Sequence, residues 1–234
     1  MNTKIIAFDA DDTLWHNEIN YRNAEREFAK AMLPFCNYSE QQIIDYLMEV
    51  EGRNIPLLGY GSKTFVIDLA EAAMELCRNN APNELIRHVM EIGKKTITPK
   101  MELFPHVTEV LEVLSSKYKL VLATKGDLKD QKYKINNSNL AHFFSHIEIM
   151  PEKDSTHYKE LLYKCNVTPQ EFIMIGNSFK SDIKPVIEIG ASAVYIPSNI
   201  IWAHEVTEEF EHPRLKKLDS IAQVPEMLSS WVNA

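Results

Sequence analysis

Residues 4–14 read Lys-Ile-Ile-Ala-Phe-Asp-Ala-Asp-Asp-Thr-Leu, an apolar run that ends in a cluster of acids. The four consecutive apolar residues 5–8 are typical of a short strand buried on both faces of a parallel sheet. The aspartates that follow repel one another at close range, and a cation would relieve that repulsion. Oxygen ligands of this kind suit Mg²⁺. Because ligands of open α/β sheets bind outside the carboxyl ends of the strands, this stretch predicts a metal site at that edge.

The composition indicates a globular protein that binds neither nucleic acid nor a membrane surface through its overall charge. The chain has 234 residues, 45 % of them apolar and 25 % charged, with a formal net charge of -8. Three widely spaced cysteines fit no disulfide framework, so we expect a reduced, cytoplasmic setting. Neither a secretory signal nor a membrane span is predicted. The sequence carries no signal for the oligomeric state.

The segment 18–95 shows only helical patterns. Predicted helices cover 18–33, the segment after Ser39 (which forms a capping box with Gln42), 65–78 and the segment after Pro82. A glycine-containing loop is predicted over 51–63. The strands on either side of this block lie roughly a hundred residues apart, whereas a parallel crossover needs only about a dozen. The block is therefore predicted to be an insertion, a helical cap of residues 18–95 above a catalytic core of residues 1–17 and 96–234.

After the helical block, strands and helices alternate. Predicted strands cover 118–123, 146–150, 172–175 and 191–196, the last taken as the final core strand, and Ser155 is predicted to cap the helix that ends at Cys165. This alternation indicates an α/β fold with a doubly wound parallel sheet.

Polar side chains follow four of the predicted strands. They are Asp9, Asp11 and Thr13 after the first strand, then Thr124, then Lys153, and finally Asn177 with Asp182. Because parallel strands end at one edge of a sheet, we expect these groups to converge on a single site.

This set of motifs resembles the haloacid dehalogenase-like (HAD) hydrolase superfamily, in particular its phosphatases with a helical cap inserted after the first motif. The family pattern is Asp-x-Asp-x-Thr, a Thr or Ser at a strand end, a Lys, and a Gly-Asp followed by a second acid. Here it reads Asp9 to Thr13, Thr124, Lys153, and Gly176-Asn177 with Asp182. The resemblance implies a Rossmann-like core and Mg²⁺-dependent hydrolysis of a small phosphorylated metabolite, such as a nucleotide or a sugar phosphate.

The resemblance also implies roles for four catalytic residues. Asp9 would be the nucleophile that forms an aspartyl-phosphate. Asp11 would protonate the leaving oxygen and then take a proton from the attacking water. Thr124 would hold phosphate oxygens, and Lys153 would balance the charge of the phosphoryl group.

The remaining predicted site residues bind metal or substrate. The family implies that Mg²⁺ is held by Asp9, the backbone carbonyl of Asp11, and Asp182, with Asn177 as a further ligand. Substrate contacts are predicted for Thr13, for the backbone N–H groups of Lys125 and Gly126, and for the rings of Trp15 and Tyr60.

Two departures from the family pattern keep alternatives open. Asn177 replaces the usual first acid of the last motif, which predicts weaker Mg²⁺ binding. Lys153 lacks the proline that often follows it, so Lys125 is a lesser candidate for its role. Metal-independent 2-haloacid dehalogenases also carry an Asn near the last motif, but they lack an acid at the position of Asp11. That acid favours phosphate esters, since a leaving halide needs no proton. A sugar-phosphate mutase and a catalytically weak metabolite-binding or regulatory protein are further alternatives.

Overall fold

The computed structural model describes residues 3–232. Its centre is a six-stranded sheet in which every neighbouring pair is parallel, in the order β3-β2-β1-β4-β5-β6. The strands are β1 Ile5–Phe8, β2 Lys119–Lys125, β3 His146–Met150, β4 Phe172–Gly176, β5 Ser192–Tyr195 and β6 Leu215–Lys217. The predicted parallel sheet is therefore confirmed, with one strand, β6, that the sequence did not suggest.

Nine α-helices accompany the sheet in the part of the chain described. They are α1 Glu18–Met32, α2 Glu40–Leu58, α3 Ser62–Leu76, α4 Asn83–Lys94, α5 Val107–Ser115, α6 Leu128–Ser138, α7 Ser155–Cys165, α8 Lys184–Glu188 and α9 Val224–Val232. None of the helices described is both long and apolar enough to cross a membrane. All three cysteines are free thiols.

The strand β1 is buried on both faces, as its unbroken apolar sequence predicts. Ile6 and Phe8 contribute to one apolar cluster, with side chains of α5 and α9. Ile5 and Ala7 contribute to a second cluster, with side chains of α7 and α8. Helices thus cover both faces of the sheet, and the carboxyl end of β1 is left as the place where polar groups can emerge.

The chain forms two compact units. The sheet unit contains residues 1–16, 101–125 and 135–234, and the helical unit contains residues 17–100 and 126–134. The helical unit has its own apolar core, formed by Phe28, Met32, Ile43, Leu47, Leu69 and Ile92 among others. The predicted boundaries at residues 18 and 95, and the assignment of this segment as a cap, stay predictions. The inclusion of residues 126–134 was not expected from the sequence.

Helix α2 is longer than predicted. It begins with the expected capping box, in which the Ser39 N–H donates to Gln42 at 2.9 Å and the Gln42 N–H donates to the Ser39 hydroxyl at 3.3 Å. The predicted loop over 51–63 is wrong, because the helix continues past Pro56 to Leu58 and ends at Gly59, which has φ +75°. Burial of one face of the helix outweighs the hydrogen bond lost at the proline.

One smaller prediction was also wrong, and one strand was not predicted. The N-cap of α7 is Asp154 and not Ser155, since the Asp154 carboxylate accepts from the N–H groups of Thr156 and His157 at 2.8 and 2.9 Å. The strand β6 has only three residues, two of them exposed lysines, and so lacks the apolar pattern that marks a core strand.

Candidate active site

The carboxyl ends of β3, β2, β1 and β4 lie side by side. Phe8 is in register with Leu122 on one side and with Ile175 on the other, and Thr124 is in register with Ile149. The backbone N–H of Asp9 continues this pattern by donating to the carbonyl of Ile175 at 2.9 Å. The strand order therefore explains how residues far apart in the sequence reach the same edge.

Lys153 bridges two carboxylates at this edge. Its ammonium lies 2.5 Å from Asp9 Oδ1 and 2.6 Å from Asp182 Oδ1. All three residues are buried, at 5 %, 7 % and 1 % exposure. Burial alone would lower the pKa of Lys153, but the charges of Asp182 and Asp9 outweigh it and hold the pKa well above its usual value. Lys153 is thus a permanent cation between two acids.

Lys125 makes a different set of contacts. Its ammonium lies 2.5 Å from Glu205, 3.4 Å from Glu152 and 3.2 Å from the hydroxyl of Ser181. These partners differ from those of Lys153, whose ammonium contacts Asp9 and Asp182. The geometry therefore favours Lys153 over Lys125 as the lysine that acts beside the nucleophile.

Asp182 lies on a wide helical turn, Phe179–Ile183, that precedes α8. The Ser178 hydroxyl caps this turn by accepting from the Ser181 N–H at 3.0 Å, so Asp182 is not the N-cap. Asp182 instead points back at the strand end, where its Oδ2 accepts from the Ser178 N–H at 3.0 Å. A Cβ atom at Gly176 would lie 2.2 Å from that oxygen, so only glycine permits this approach.

The raised pKa of Asp182 is consistent with a shortage of positive charge around its carboxylate. The pKa of Asp182 is raised to about 7. Burial is the largest cause, the nearby Lys153 ammonium lowers the pKa, and the Asp9 charge raises it further. One ammonium does not compensate two buried carboxylates. A second cation at this edge would stabilise the charged form of both acids.

Thr13 and Asn177 lie beside the other carboxylate oxygen of Asp9, Oδ2. The Thr13 hydroxyl donates to Asp9 Oδ2 at 2.9 Å. One terminal atom of the Asn177 amide lies 3.0 Å from the Thr13 hydroxyl, 3.1 Å from Asp9 Oδ2 and 3.1 Å from the backbone carbonyl of Asp11. If this atom is the NH₂ group, it donates to these oxygens. If it is the amide oxygen, it lies about 3 Å from Asp9 Oδ2 and from the Asp11 carbonyl, the separation found between neighbouring ligands of Mg²⁺.

The donors that would hold Mg²⁺ are therefore mixed in kind. They are the carboxylates of Asp9 and Asp182, the carbonyl of Asp11 and, with its oxygen turned inward, the amide of Asn177. In that orientation all four are oxygen donors, the kind that Mg²⁺ requires. Within residues 3–232 no three Asp, Glu, His or Cys side chains come together as a metal site. The residues present thus fit a metal that is bound by two carboxylates, with neutral oxygens as the remaining ligands.

Asp11 is held by Trp15. The indole N–H donates to Asp11 Oδ1 at 2.7 Å, and the Trp15 ring is completely buried in the apolar cluster beneath the sheet edge. The structure does not support the prediction that this ring binds substrate, because no face of it is exposed. Asp12, between Asp11 and Thr13, has a left-handed φ of 60° and forms the turn.

For three further predicted site residues, Thr124, Gly126 and Tyr60, the structure gives fewer details. Thr124 is buried at the end of β2, 1 % exposed. Gly126 has φ +133°, a backbone conformation that favours glycine. Gly126 and Tyr60 belong to the helical unit, and their roles as substrate-binding residues stay predictions.

Several residues beside the site had no assigned role in the sequence. Glu205 accepts hydrogen bonds from the hydroxyls of Ser178 and Ser181 and forms the ion pair with Lys125. The hydroxyl of Tyr158, completely buried, donates to the Ser181 carbonyl at 3.1 Å. Glu205 lies in the segment between β5 and β6, which carries no motif. Tyr158 follows Lys153 closely in the chain, and that spacing is the one signal that pointed towards it.

The chain is similar to hydrolases of known family. A solved haloacid dehalogenase-like family hydrolase from Xanthomonas campestris is 32 % identical, superposes with a TM-score of 0.88, and matches over 98 % of this chain and 91 % of that one. The N-acylneuraminate-9-phosphatase of Homo sapiens is 25 % identical over 84 % of this chain and 83 % of its own length.

A third similarity covers less of the molecule. The glyceraldehyde 3-phosphate phosphatase of Methanothermobacter thermautotrophicus is 29 % identical over 131 residues, 53 % of this chain. The match spans only 58 % of that relative's length. The family model for haloacid dehalogenase-like hydrolases matches residues 3–190, which include every motif described above. The chain is therefore a hydrolase of the haloacid dehalogenase-like family.

Proposed function

We propose that the protein is a Mg²⁺-dependent phosphatase that hydrolyses a small phosphate monoester, such as a sugar phosphate or a nucleotide, through an aspartyl-phosphate on Asp9. The observation that carries this proposal is the bridge made by Lys153 between Asp9 and Asp182 at the carboxyl edge of the sheet. It holds the buried carboxylate of Asp9, the proposed nucleophile, and supplies one positive charge for two buried acids. Three free thiols support the cytoplasm as its proposed location.

The charge balance supports a metal cofactor. Asp9, Asp11 and Asp182 carry three negative charges when ionised and Lys153 carries one positive charge, which leaves two negative charges uncompensated. A phosphate dianion would not approach such a site unaided. Mg²⁺ bound by the donors named above would screen the repulsion between the phosphate and the nucleophile.

The protein's own residues would act as follows. A carboxylate oxygen of Asp9 forms a bond to phosphorus while the bond to the ester oxygen breaks, and Asp11 gives its proton to that leaving oxygen. Water then attacks the phosphorus of the aspartyl-phosphate, Asp11 takes the proton, and inorganic phosphate leaves. Lys153 and Thr13 hold the nucleophile throughout. Thr124 and the N–H groups of Lys125 and Gly126 are proposed to bind the remaining phosphate oxygens.

The relatives support the substrate class. Two of them are named as phosphatases of small phosphorylated metabolites, a glyceraldehyde phosphate and an N-acylneuraminate phosphate. We propose that α1–α4 act as the cap that selects among such metabolites, with Tyr60 among the residues that contact the substrate.

The test is a panel of phosphorylated metabolites assayed with Mg²⁺. We expect phosphate release that stops in EDTA and is abolished by Asp9→Asn. The matched control is Asp12→Asn, the same change three residues away in a turn that tolerates Asn. Phosphate release that survives EDTA or Asp9→Asn would overturn the mechanism. Clear metabolite binding with no turnover across the panel would instead favour a regulatory role.

A second candidate function is metal-independent dehalogenation. The observation that favours it is the Asn177 amide, which with its NH₂ group inward donates to Asp9 Oδ2 and needs no metal there. Release of halide from a 2-halo acid in the presence of EDTA would support this reaction. The presence of Asp11, held in place by Trp15, argues for esters instead, since a halide leaves without a proton.

A further inference from the structure

Glu205 connects two strand-end loops of the site, although it lies outside the segment that matches the family model. We propose that Glu205 is a positioning residue that links the turn carrying Asp182 to the end of β2, and so holds Asp182 in place to bind Mg²⁺. This inference rests on the proposed function of the site.

The contacts of Glu205 reach three side chains on two elements. One carboxylate oxygen lies 2.5 Å from the Lys125 ammonium, directly after Thr124 at the end of β2. The other lies 2.6 Å from the Ser181 hydroxyl and also accepts from the hydroxyl of Ser178. Hydrogen bonds to an ionised acceptor are about twice as strong as neutral ones, so this carboxylate connects the two elements strongly.

The carboxylate is charged and shielded from solvent. The side chains of Glu205 and Lys125 are each 13 % exposed. Burial alone would raise the pKa of Glu205, but Lys125 and the two serine hydroxyls outweigh it and lower the pKa. An exposed ion pair would contribute little, whereas a shielded one leaves a costly unpaired charge when either partner is removed.

Of the two serines that Glu205 binds, Ser178 directly precedes the turn that presents Asp182, and Ser181 lies within it. The Ser178 hydroxyl caps the turn, and the Asp182 N–H donates to the Ser178 carbonyl at 2.8 Å. A second tie joins the same segments, since the Lys180 ammonium donates to the carbonyl of His204 at 2.8 Å. The segment at 204–205 therefore fixes the turn from outside the family motifs.

Loss of the Glu205 charge should weaken Mg²⁺ binding for two reasons that act in the same direction. The serine hydroxyls lose a charged acceptor, so the turn carrying Asp182 is held less firmly. Lys125 loses its nearest counter-charge, and an ammonium less well compensated close to the site opposes the binding of a cation.

The experiment compares Glu205→Gln with Glu209→Gln. Glu209 lies on the same segment but pairs with Lys217 at 2.8 Å, and its side chain is 46 % exposed. Mg²⁺ binding to the metal-free protein is measured by calorimetry, and hydrogen exchange of residues 178–183 by mass spectrometry. We expect Glu205→Gln to bind Mg²⁺ about tenfold more weakly and to exchange faster in this turn, a loss equivalent to one charge-assisted hydrogen bond. Glu209→Gln should match the wild type in both.

Ser181→Ala provides a milder variant, because it removes one hydroxyl and leaves the Glu205–Lys125 ion pair intact. We expect a smaller effect of the same sign, and this variant decides the question if Glu205→Gln does not fold. Unchanged Mg²⁺ binding and unchanged exchange in folded Glu205→Gln would overturn the proposal. Failure of the wild type to bind Mg²⁺ would overturn the proposed cofactor instead. The exchange measurement would still test whether Glu205 holds the turn at residues 178–183.

Discussion

The indole N–H of Trp15 donates to the Asp11 carboxylate at 2.7 Å from a ring with no exposed surface. Trp15 also forms bridges with Asp11 and with Leu103, so its backbone is fixed as well as its ring. A carboxylate that transfers a proton to and from a bound substrate acts best when its orientation is fixed. The pair thus ties the proposed acid of the mechanism to the apolar core.

Trp15→Phe should damage leaving-group protonation selectively. Phenylalanine fills most of the volume but donates no hydrogen bond, so Asp11 loses its orientation. For an alkyl phosphate we expect kcat/KM to fall by about tenfold or more, the usual scale for general acid catalysis. For p-nitrophenyl phosphate, whose leaving group needs no proton, we expect little change. Trp231→Phe, on α9, is the control, and equal losses on both substrates would count against this role for Trp15.

Lys153→Met should be severe for both stability and activity. It leaves the buried carboxylates of Asp9 and Asp182 without a counter-charge, and breaking a buried pair costs about 3–5 kcal/mol. We expect a lower melting temperature in EDTA, partly restored by Mg²⁺, and almost no phosphatase activity. Lys125→Met should be milder, since that ammonium pairs with Glu205 and is less deeply buried than Lys153. Comparable losses of activity in both variants would mean that the two lysines share the role.

Gly176→Ala should disable the site without unfolding the protein. The added Cβ would lie 2.2 Å from Asp182 Oδ2, so the carboxylate must move away from Lys153. We expect calorimetry to show no Mg²⁺ binding and the phosphatase rate to fall by about a hundredfold or more, as misplacement by an ångström can do. Gly52→Ala, on an exposed position of α2, is the control and should if anything stabilise the helix. Normal Mg²⁺ binding by Gly176→Ala would show that Asp182 is not a ligand.

Glu25 gives a pH dependence that can be tested in the helical unit. Burial raises its pKa, the Arg22 charge lowers it and the Glu51 charge raises it further, with a net increase. A carboxyl whose folded pKa is raised stabilises the protein below the unfolded pKa, and this contribution is lost as the pH rises through the folded value. Glu25→Gln removes the titrating carboxyl, and with it the loss of stability as the pH rises. We therefore expect its melting temperature relative to the wild type to rise from pH 4 to pH 8. The control is Glu27→Gln on the same helix, which removes a surface ion pair with Lys95 and not a buried acid, and should not show this rise.

The strand ends were predictable because each carries its own local signal. An apolar run followed by a polar residue marks the carboxyl end of a buried strand, and Asp9, Thr124 and Asn177 all follow such runs. The parallel arrangement then brings them to one edge without further information. For the same reason β6 was missed, since a three-residue edge strand with two lysines has no such run.

Side-chain partners were not predictable, because they depend on residues far apart in the chain. Glu205 meets Lys125 across 80 positions and Ser181 across 24, with no motif in its segment. The direction of the Trp15 ring was equally hidden, since its burial depends on the strand bridge to Leu103. Local sequence placed Trp15 beside the site, but the tertiary contacts turned it towards Asp11 instead of the substrate.

Asn177→Asp should convert the site into a stronger metal site that depends more on its metal. The Asn177 amide lies 3.1 Å from Asp9 Oδ2 and from the Asp11 carbonyl, so an aspartate there adds a negative charge among the proposed metal ligands. In EDTA that charge has no new partner, and like charges at this distance destabilise the folded state. We expect the melting temperature in EDTA to fall, Mg²⁺ affinity to rise by about tenfold, and the stabilisation on adding Mg²⁺ to exceed that of the wild type, since a ligand that binds only the folded state stabilises it in proportion to log affinity. Asn199→Asp, an exposed loop change of equal charge, is the control. If Asn177→Asp bound Mg²⁺ no better than the wild type, then the Asn177 amide would be a hydrogen-bond donor to Asp9 and not a neighbour of the metal.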